Sequence, residues 1–189
     1  MVFQHHISSP LSTLRPKGRV NSPLCNQREP FMRLTTLCYI ERDGQVLMLH
    51  RVKKQQDENA GKWIGIGGHL EENESPEECI LREIREETGL TVSGLQLRGI
   101  LTFILPAWGN ELTFLYTAKT EETFLPDCTE GVLRWVPAEE IPSLPLWEGD
   151  RLFLPLLNTR QDCFSLKLIY DAEGNLTGSV LDGQAAAQG

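Results

Sequence analysis

The chain is poor in positive charge: 18 Lys and Arg face 26 Asp and Glu, a formal net charge of −8 at pH 7. That balance argues against general binding of nucleic acid polymers through their phosphates, which takes a basic face. A small anionic nucleotide can still be held where a metal and a few local cations neutralise it. Long apolar runs are lacking too. None approaches the roughly 20 residues of a membrane-spanning helix, and no secretory signal is visible. No membrane contact is therefore expected, and the chain reads as cytoplasmic. The five cysteines, at positions 25, 38, 79, 128 and 163, form no Cys-x-x-Cys pair and have no His at zinc spacing. They fit free thiols in a reducing compartment. No internal repeat is visible. A length of 189 residues with 40% apolar content suits one well-buried domain and is short for two.

The two ends differ from the middle. Residues 1–31 carry Arg15, Lys17, Arg19 and Arg28 with no acid before Glu29, and Pro10, Pro16 and Pro23 interrupt any helix. With no hydrophobic periodicity, this stretch reads as a disordered leader. Its basic, acid-poor composition resembles a transit peptide, but a mis-assigned start, with Met32 the true beginning, is the favoured reading. Residues 32–181 read as the folded domain, and 182–189 as a disordered tail.

Within the domain, Leu34–Ile40 and Val46–Val52 are β-prone runs separated by Arg42-Asp43-Gly44-Gln45, where Asp-Gly signals a tight hairpin. Lys62–Ile66 is a short strand running into Gly67-Gly68. Ser75-Pro76-Glu77-Glu78 has the form of a helix start: Ser at the cap, Pro at the first position and Glu completing a capping box. Cys79, Ile80 and Ile84 give that helix a buried side, and Gly89 ends it. Leu95–Leu105, Glu111–Thr120 and Val132–Val136 read as strands. Ala138–Ile141 and Asp150–Thr159 read as helical, and Phe164–Tyr170 with Leu176–Val180 as a second hairpin. The fold class is therefore α/β (α+β), a mixed sheet with helices packed on it.

One helix is chemically odd. At about 100° per residue, Glu86 and Glu87 lie one turn beyond Glu83 on nearly the same face. Like charges so placed repel by a few tenths of a kcal/mol per pair, and helix stability does not ask for them. A hard divalent cation with oxygen ligands would relieve the repulsion and would also hold a polyphosphate.

The stretch Gly68 to Leu90 resembles the Nudix box, the signature of nucleoside-diphosphate-linked hydrolases. Gly68, Glu74, Arg82, Glu83, Ile84, Glu86, Glu87, Gly89 and Leu90 occupy all its fixed positions. The resemblance implies a mixed sheet sandwiched between helices and hydrolysis of a phosphoanhydride bond. It implies Mg2+, with Mn2+ as the alternative, on Glu83, Glu86 and Glu87. One of these would act as general base, with Glu83 favoured. It adds the backbone carbonyl of Gly67 and the side chain of Glu130 as further ligands, and Arg51 as a cation toward the phosphates, a duty Lys53 and Lys54 would share. Gly68, Glu74, Arg82 and Gly89 would be structural, Glu74 and Arg82 tying the loop in place. His69 stands where many members have Lys. His50 reads as an ordinary strand residue.

Outside the box the chain looks like the MutT branch, which acts on oxidised purine nucleotides. The likeness rests on Leu34–Ile40, Leu47–Arg51, Gly61–Gly68 and Pro145–Asp150. It implies Trp147 as a stacking plate, Asp150 as a reader of the base edge, and Thr35 and Gly68 in the substrate site. A human member has a second Asp where this chain has Gly149, and an Asn where it has Ile64. The activity implied is cleavage of 8-oxo-dGTP to 8-oxo-dGMP and pyrophosphate, with a small nucleoside triphosphate as the partner. The alternatives are another nucleotide substrate, such as an ordinary dNTP, ADP-ribose or a dinucleoside polyphosphate, or a silent nucleotide-sensing module. Oligomeric state is not legible.

Overall fold

A computed structural model describes residues 32–53 and 58–185. The expected leader, Cys25 and Lys54 lie outside those residues. β1 (Arg33–Arg42) and β2 (Gln45–His50) form the expected hairpin. Asp43 and Gly44 both take positive φ, 49° and 74°, the backbone of a tight primed turn.

The hairpin soon opens. β1 and β2 pair only from Ile40↔Leu47 to the turn, and the segment from Trp63 to His69 enters the gap. Its first part, β3 (Trp63–Ile64), pairs with β2. Further on, Ile66 and His69 bridge to Cys38 and Thr35 of β1. This insertion carries Gly67 and Gly68 into the middle of the sheet.

Helix α1 (Pro76–Thr88) follows. Its capping box is formed, with both bonds between Ser75 and Glu78 made, and Gly89 closes it at φ 68°. β4 (Ser93–Ile104) and β5 (Glu111–Lys119) form a long antiparallel pair, and β5 runs parallel to β1. β6 (Val132–Pro137) covers the other edge of β2. α2 (Asp150–Thr159) precedes β7 (Phe164–Tyr170), which lies parallel to β4, and β8 (Leu176–Leu181) and β9 (Gln184–Ala185) complete the sheet.

Side-chain alternation along the central strands builds two cores. Tyr39, Met48 and Leu115 face Phe153 and Leu157 of α2. Their neighbours Cys38, Ile40, Leu47, Leu49 and Tyr116 face Ile80 and Ile84 of α1. The mixed sheet is thus sandwiched between helices, as expected. Burying each isoleucine of α1 contributes about 1.5–3 kcal/mol, and this fixes the rotation of the helix and hence where its acidic stripe points.

Two expectations are corrected. Ala138–Ile141 is not a helix: a turn leads into a single 3-10 turn at Ile141–Ser143. Pro137 and Pro142 bracket the stretch, and the Ala138 amide donates to Gly44 O at 3.1 Å, leaving no room for an α-turn. Gln184–Ala185, expected in the tail, form a strand of the sheet. Asp182 and Gly183, at φ 48° and 78°, turn the chain into β9. Asp182 also accepts from the Ser165 amide at 2.9 Å and pairs with Arg160. Residues 186–189 lie outside the described ones. Among the described residues no helix is long and apolar enough to cross a membrane, and Cys38, Cys79, Cys128 and Cys163 are free thiols.

Candidate active site

The sheet insertion, α1 and the loops at one end of the central strands enclose a cleft of about 490 Å3. Its two ends differ in chemistry.

At the acidic end the backbone is crowded. Thr36 N donates to Gly68 O at 2.8 Å. A β-carbon on Gly67 would lie 2.7 Å from the carbonyl carbon of Thr36, and one on Gly68 would lie 2.5 Å from the carboxyl carbon of Glu83. Both glycines are therefore set by close approach, the first to a neighbouring strand and the second to the acid.

Glu83 and Glu87 reach the cleft from α1, and Glu130 from the loop before β6. Arg82 organises the first of these. Its guanidinium makes a two-pronged contact with Glu74, at 2.7 and 3.0 Å, and reaches Glu83 Oε1 at 2.8 Å, Glu86 Oε2 at 3.2 Å and His69 O at 3.2 Å. Arg82, aided by the Glu71 amide, holds the Glu74 carboxyl down at about 2. The pair ties the 68–74 loop to the helix.

Glu87 is the unusual acid. Its Oε2 is buried with no hydrogen-bond partner. Burial first, then the nearby charges of Glu130 and Glu83, push its carboxyl up to about 8, with Arg51 and the Gly67 backbone opposing. Arg51, at the end of β2, pairs with Glu130. Among the described residues no three acidic, His or Cys side chains already stand as a ligand cluster; Arg82 holds Glu74, Glu83 and Glu86, and Arg51 pairs with Glu130. The donor set nonetheless suits a hard cation. It offers carboxylate oxygens, one of them buried and unpartnered, in a crowded acidic corner. Nudix hydrolases as a family use divalent metal ions.

Glu86 does not line this cleft; its side chain is 61% exposed and turned to Arg82. Gly89 acts at the helix end alone. Lys53 is engaged elsewhere, donating to Cys128 O at 2.6 Å. His69 does line the cleft, at an exposed position. His50 stacks on Trp63 with centroids 4.5 Å apart.

The other end is aromatic. Trp147 makes T-shaped contacts with Tyr170 and Trp108, each with centroids 6.1 Å apart. Its indole donates to Asn59 Oδ1 at 2.8 Å, and Lys62 Nζ stands 4.9 Å from its ring centre. Asp150, the first residue of α2, is buried and accepts from the Trp147 amide at 3.2 Å. Burial pushes its carboxyl up to about 7 against that bond and the charges of Lys62 and Arg151. Thr35 shares a 2.7 Å hydrogen bond with Thr113. Gly149 donates its amide to the Tyr170 hydroxyl at 3.0 Å, and a β-carbon there would collide with that hydroxyl and with Leu168. Ile64 also lines the wall.

Thr35, Arg51, Gly67, Gly68, Glu83, Glu87, Glu130, Trp147 and Asp150 therefore meet in one cleft. Sequence reasoning missed Tyr39, Asn59, Trp108 and Tyr170, which line it too. Trp108-Gly109 between two strands marks a hairpin tip, but the others carry no local signal.

The NUDIX domain model matches residues 32–157. The chain is 29% identical over 160 residues, 82% of its own length and 97% of the relative's, to the uncharacterized Nudix hydrolase YvcI of Bacillus subtilis. It is 30% identical over 126 residues, 66% of this chain and 79% of the other, to the oxidized purine nucleoside triphosphate hydrolase of Danio rerio. Among solved structures it is similar to the mutator MutT protein of Bacillus halodurans, with TM-score 0.70 and 27% identity over 81% of this chain and 99% of that one. The extent of the domain match, reaching from the first strand into α2, shows that this chain belongs to the Nudix hydrolase family.

Proposed function

We propose that the protein hydrolyses oxidised purine nucleoside triphosphates, 8-oxo-dGTP foremost, to the monophosphate and pyrophosphate, cleansing the cytoplasmic nucleotide pool. One observation carries the reading: a single cleft joins the acidic end of Glu83, Glu87 and Glu130 to the aromatic end of Trp147 and Asp150. The first suits a polyphosphate and the second a base. The similarity to the Danio rerio enzyme supports oxidised purines among the possible bases.

In this reading Glu83, Glu87, Glu130 and the Gly67 carbonyl would hold magnesium, joined by Glu86 once it leaves Arg82, manganese being the alternative. Bound there, a divalent ion neutralises phosphate charge and lowers the pKa of water. Arg51 binds a phosphate oxygen once it is drawn from Glu130. A box carboxylate, Glu83 or Glu87, takes the proton of the attacking water. Arg82 holds the carboxylates in register. Trp147 stacks on the base, Asp150 hydrogen-bonds its edge, and Thr35 packs at the wall.

The test is pyrophosphate release with magnesium across 8-oxo-dGTP, dGTP, dATP, ADP-ribose and a dinucleoside tetraphosphate. The reading expects 8-oxo-dGTP to be cleaved best. Preference for ADP-ribose, or equal rates on all five, would overturn it.

A further inference from the structure

Among the described residues, two oxygens of side chains lining the cleft are buried without a hydrogen-bond partner of normal geometry: Glu87 Oε2 at the acidic end and the hydroxyl of Tyr39. A cation at the carboxylates answers for the first. The second is approached by the Gly65 backbone but makes no hydrogen bond of normal geometry with it.

Tyr39 is 3% exposed and rises from the centre of β1 toward α2, its ring 6.2 Å from that of Phe153. The ring also borders a second hollow, of about 600 Å3, on its far side. After burial, the nearby carboxylate of Asp150 most disfavours ionisation of the phenol, and the Gly65 backbone opposes that effect. Asp150 lines the cleft and not the second hollow. Tyr39 and Asp150 line the cleft together, alongside Trp147 and Tyr170.

The other polar side chains lining that part of the cleft are engaged with one another or with backbone amides. Thr35 and Thr113 bond to each other, the Tyr170 hydroxyl accepts from Gly149, Asn59 accepts from the Trp147 indole, and Asp150 accepts from the Trp147 amide. A buried tyrosine hydroxyl ordinarily finds a partner. At an apolar strand position with Phe153 beside it, phenylalanine would fill the same space with no hydroxyl to satisfy.

We propose that Tyr39 is a specificity-determining residue whose hydroxyl, beside Asp150, hydrogen-bonds the edge of a purine lying on Trp147. The inference rests on the reading of this cleft as a purine nucleotide site. A hydroxyl is one donor and two lone pairs, so it serves either a ring carbonyl or an exocyclic amine. A bicyclic base reaches from the indole to the floor of the cleft more readily than a single ring.

The experiment compares wild type with Tyr39→Phe, which removes one oxygen and keeps the ring. It measures kcat/KM for 8-oxo-dGTP, the inhibition constant of tripolyphosphate, which has no base, and the melting temperature. The expected result is a loss of about tenfold in kcat/KM, the worth of one neutral hydrogen bond. The tripolyphosphate constant should stay unchanged, and the melting temperature should be equal or higher. An unchanged kcat/KM overturns the assignment, showing a hydroxyl merely left over in the core. Equal losses for nucleotide and tripolyphosphate overturn it too, because the hydroxyl would then support the shape of the whole site. A wild type that cleaves ADP-ribose and no purine triphosphate removes the functional reading itself, and Tyr39's role with it. That failure appears before any variant is made.

Discussion

The carboxylate of Glu83 rests against the α-carbon of Gly68: a β-carbon at residue 68 would lie 2.5 Å from the Glu83 carboxyl carbon and 2.8 Å from Oε2. The glycine of the loop and the first acid of the helix stripe are thus one device. The expected consequence concerns Gly68→Ala. The methyl must displace Glu83, and a shift of about 1 Å in a reacting group costs on the order of 100-fold in rate. Turnover of 8-oxo-dGTP should fall by about that factor with the melting temperature within a few degrees of wild type. Steady-state kinetics and thermal melting check it; full turnover in the alanine variant would show that the position of Glu83 does not matter.

Glu87→Gln should uncouple stability from activity. The folded-state pKa of Glu87, about 8, lies above its ordinary value of 4.5. Folding therefore favours the protonated acid. The stability this provides is fully present below pH 4.5 and is lost as pH rises to 8. In chelator at pH 8.5 the wild type carries a buried, crowded charge that glutamine removes. The variant should melt at a higher temperature there, by a few kcal/mol of stability, while its turnover with magnesium falls at least 100-fold. Added magnesium should raise the melting temperature of wild type and not of the variant. Glu86→Gln, by contrast, should lower turnover with little effect on melting in chelator, because Glu86 is exposed.

Local chemistry made much of this legible. Asp43-Gly44 specified a turn, Ser75 to Glu78 a capped helix start and Gly89 its end, because each depends on residues within one turn of chain. The acidic stripe was equally plain, since helical geometry alone puts Glu83 and Glu87 together. Long-range relations were not. Arg51 meets Glu130 79 residues away, and the Trp63–His69 insertion depends on β1 and β2 parting. No pattern in either segment announces that. Tyr39 and Tyr170 read as alternating strand residues, which they are; only the assembled sheet turns them toward one cleft. Residues 138–141 show the opposite error: a short apolar-polar run reads as a helix until its flanking prolines and the turn it bonds to are seen.

Asp150 predicts a second pH dependence. Burial raises its carboxyl from 3.8 to about 7, so folding again favours the protonated form. Its stabilising contribution is complete below pH 3.8 and vanishes as pH passes 7, a span worth on the order of 4 kcal/mol. Asp150→Asn keeps an acceptor for the Trp147 amide and carries no charge. Melting in chelator from pH 5 to 8 should therefore fall less steeply in the variant than in wild type. Parallel curves would show that Asp150 stays ionised throughout. Because the same carboxyl is proposed to touch the base, kcat/KM for 8-oxo-dGTP should fall as well, with tripolyphosphate inhibition unchanged.

Trp147 is braced before any ligand arrives. Asn59 accepts its indole proton at 2.8 Å, Lys62 stands over one face, and Tyr170 and Trp108 meet it at steep interplanar angles, 81° and 65°. Gly174, in the β7–β8 turn, lies close to both indoles: a β-carbon there would sit a tight 3.3 Å from Trp108 and in ordinary contact, 3.6 Å, with Trp147. A plate held this way loses little freedom when a base stacks on it. Stacking a base on an aromatic ring contributes about 1–3 kcal/mol, so Trp147→Ala should raise KM for 8-oxo-dGTP by about 10- to 100-fold. Trp147→Phe should recover part of that, because it restores a ring but not the bond to Asn59. Asn59→Ala should resemble the phenylalanine variant, raising KM by several-fold with kcat unchanged, since it loosens the plate and leaves the carboxylates alone. If Asn59→Ala instead lowers kcat with KM constant, the 58–62 loop acts on the reacting phosphate and not through the indole.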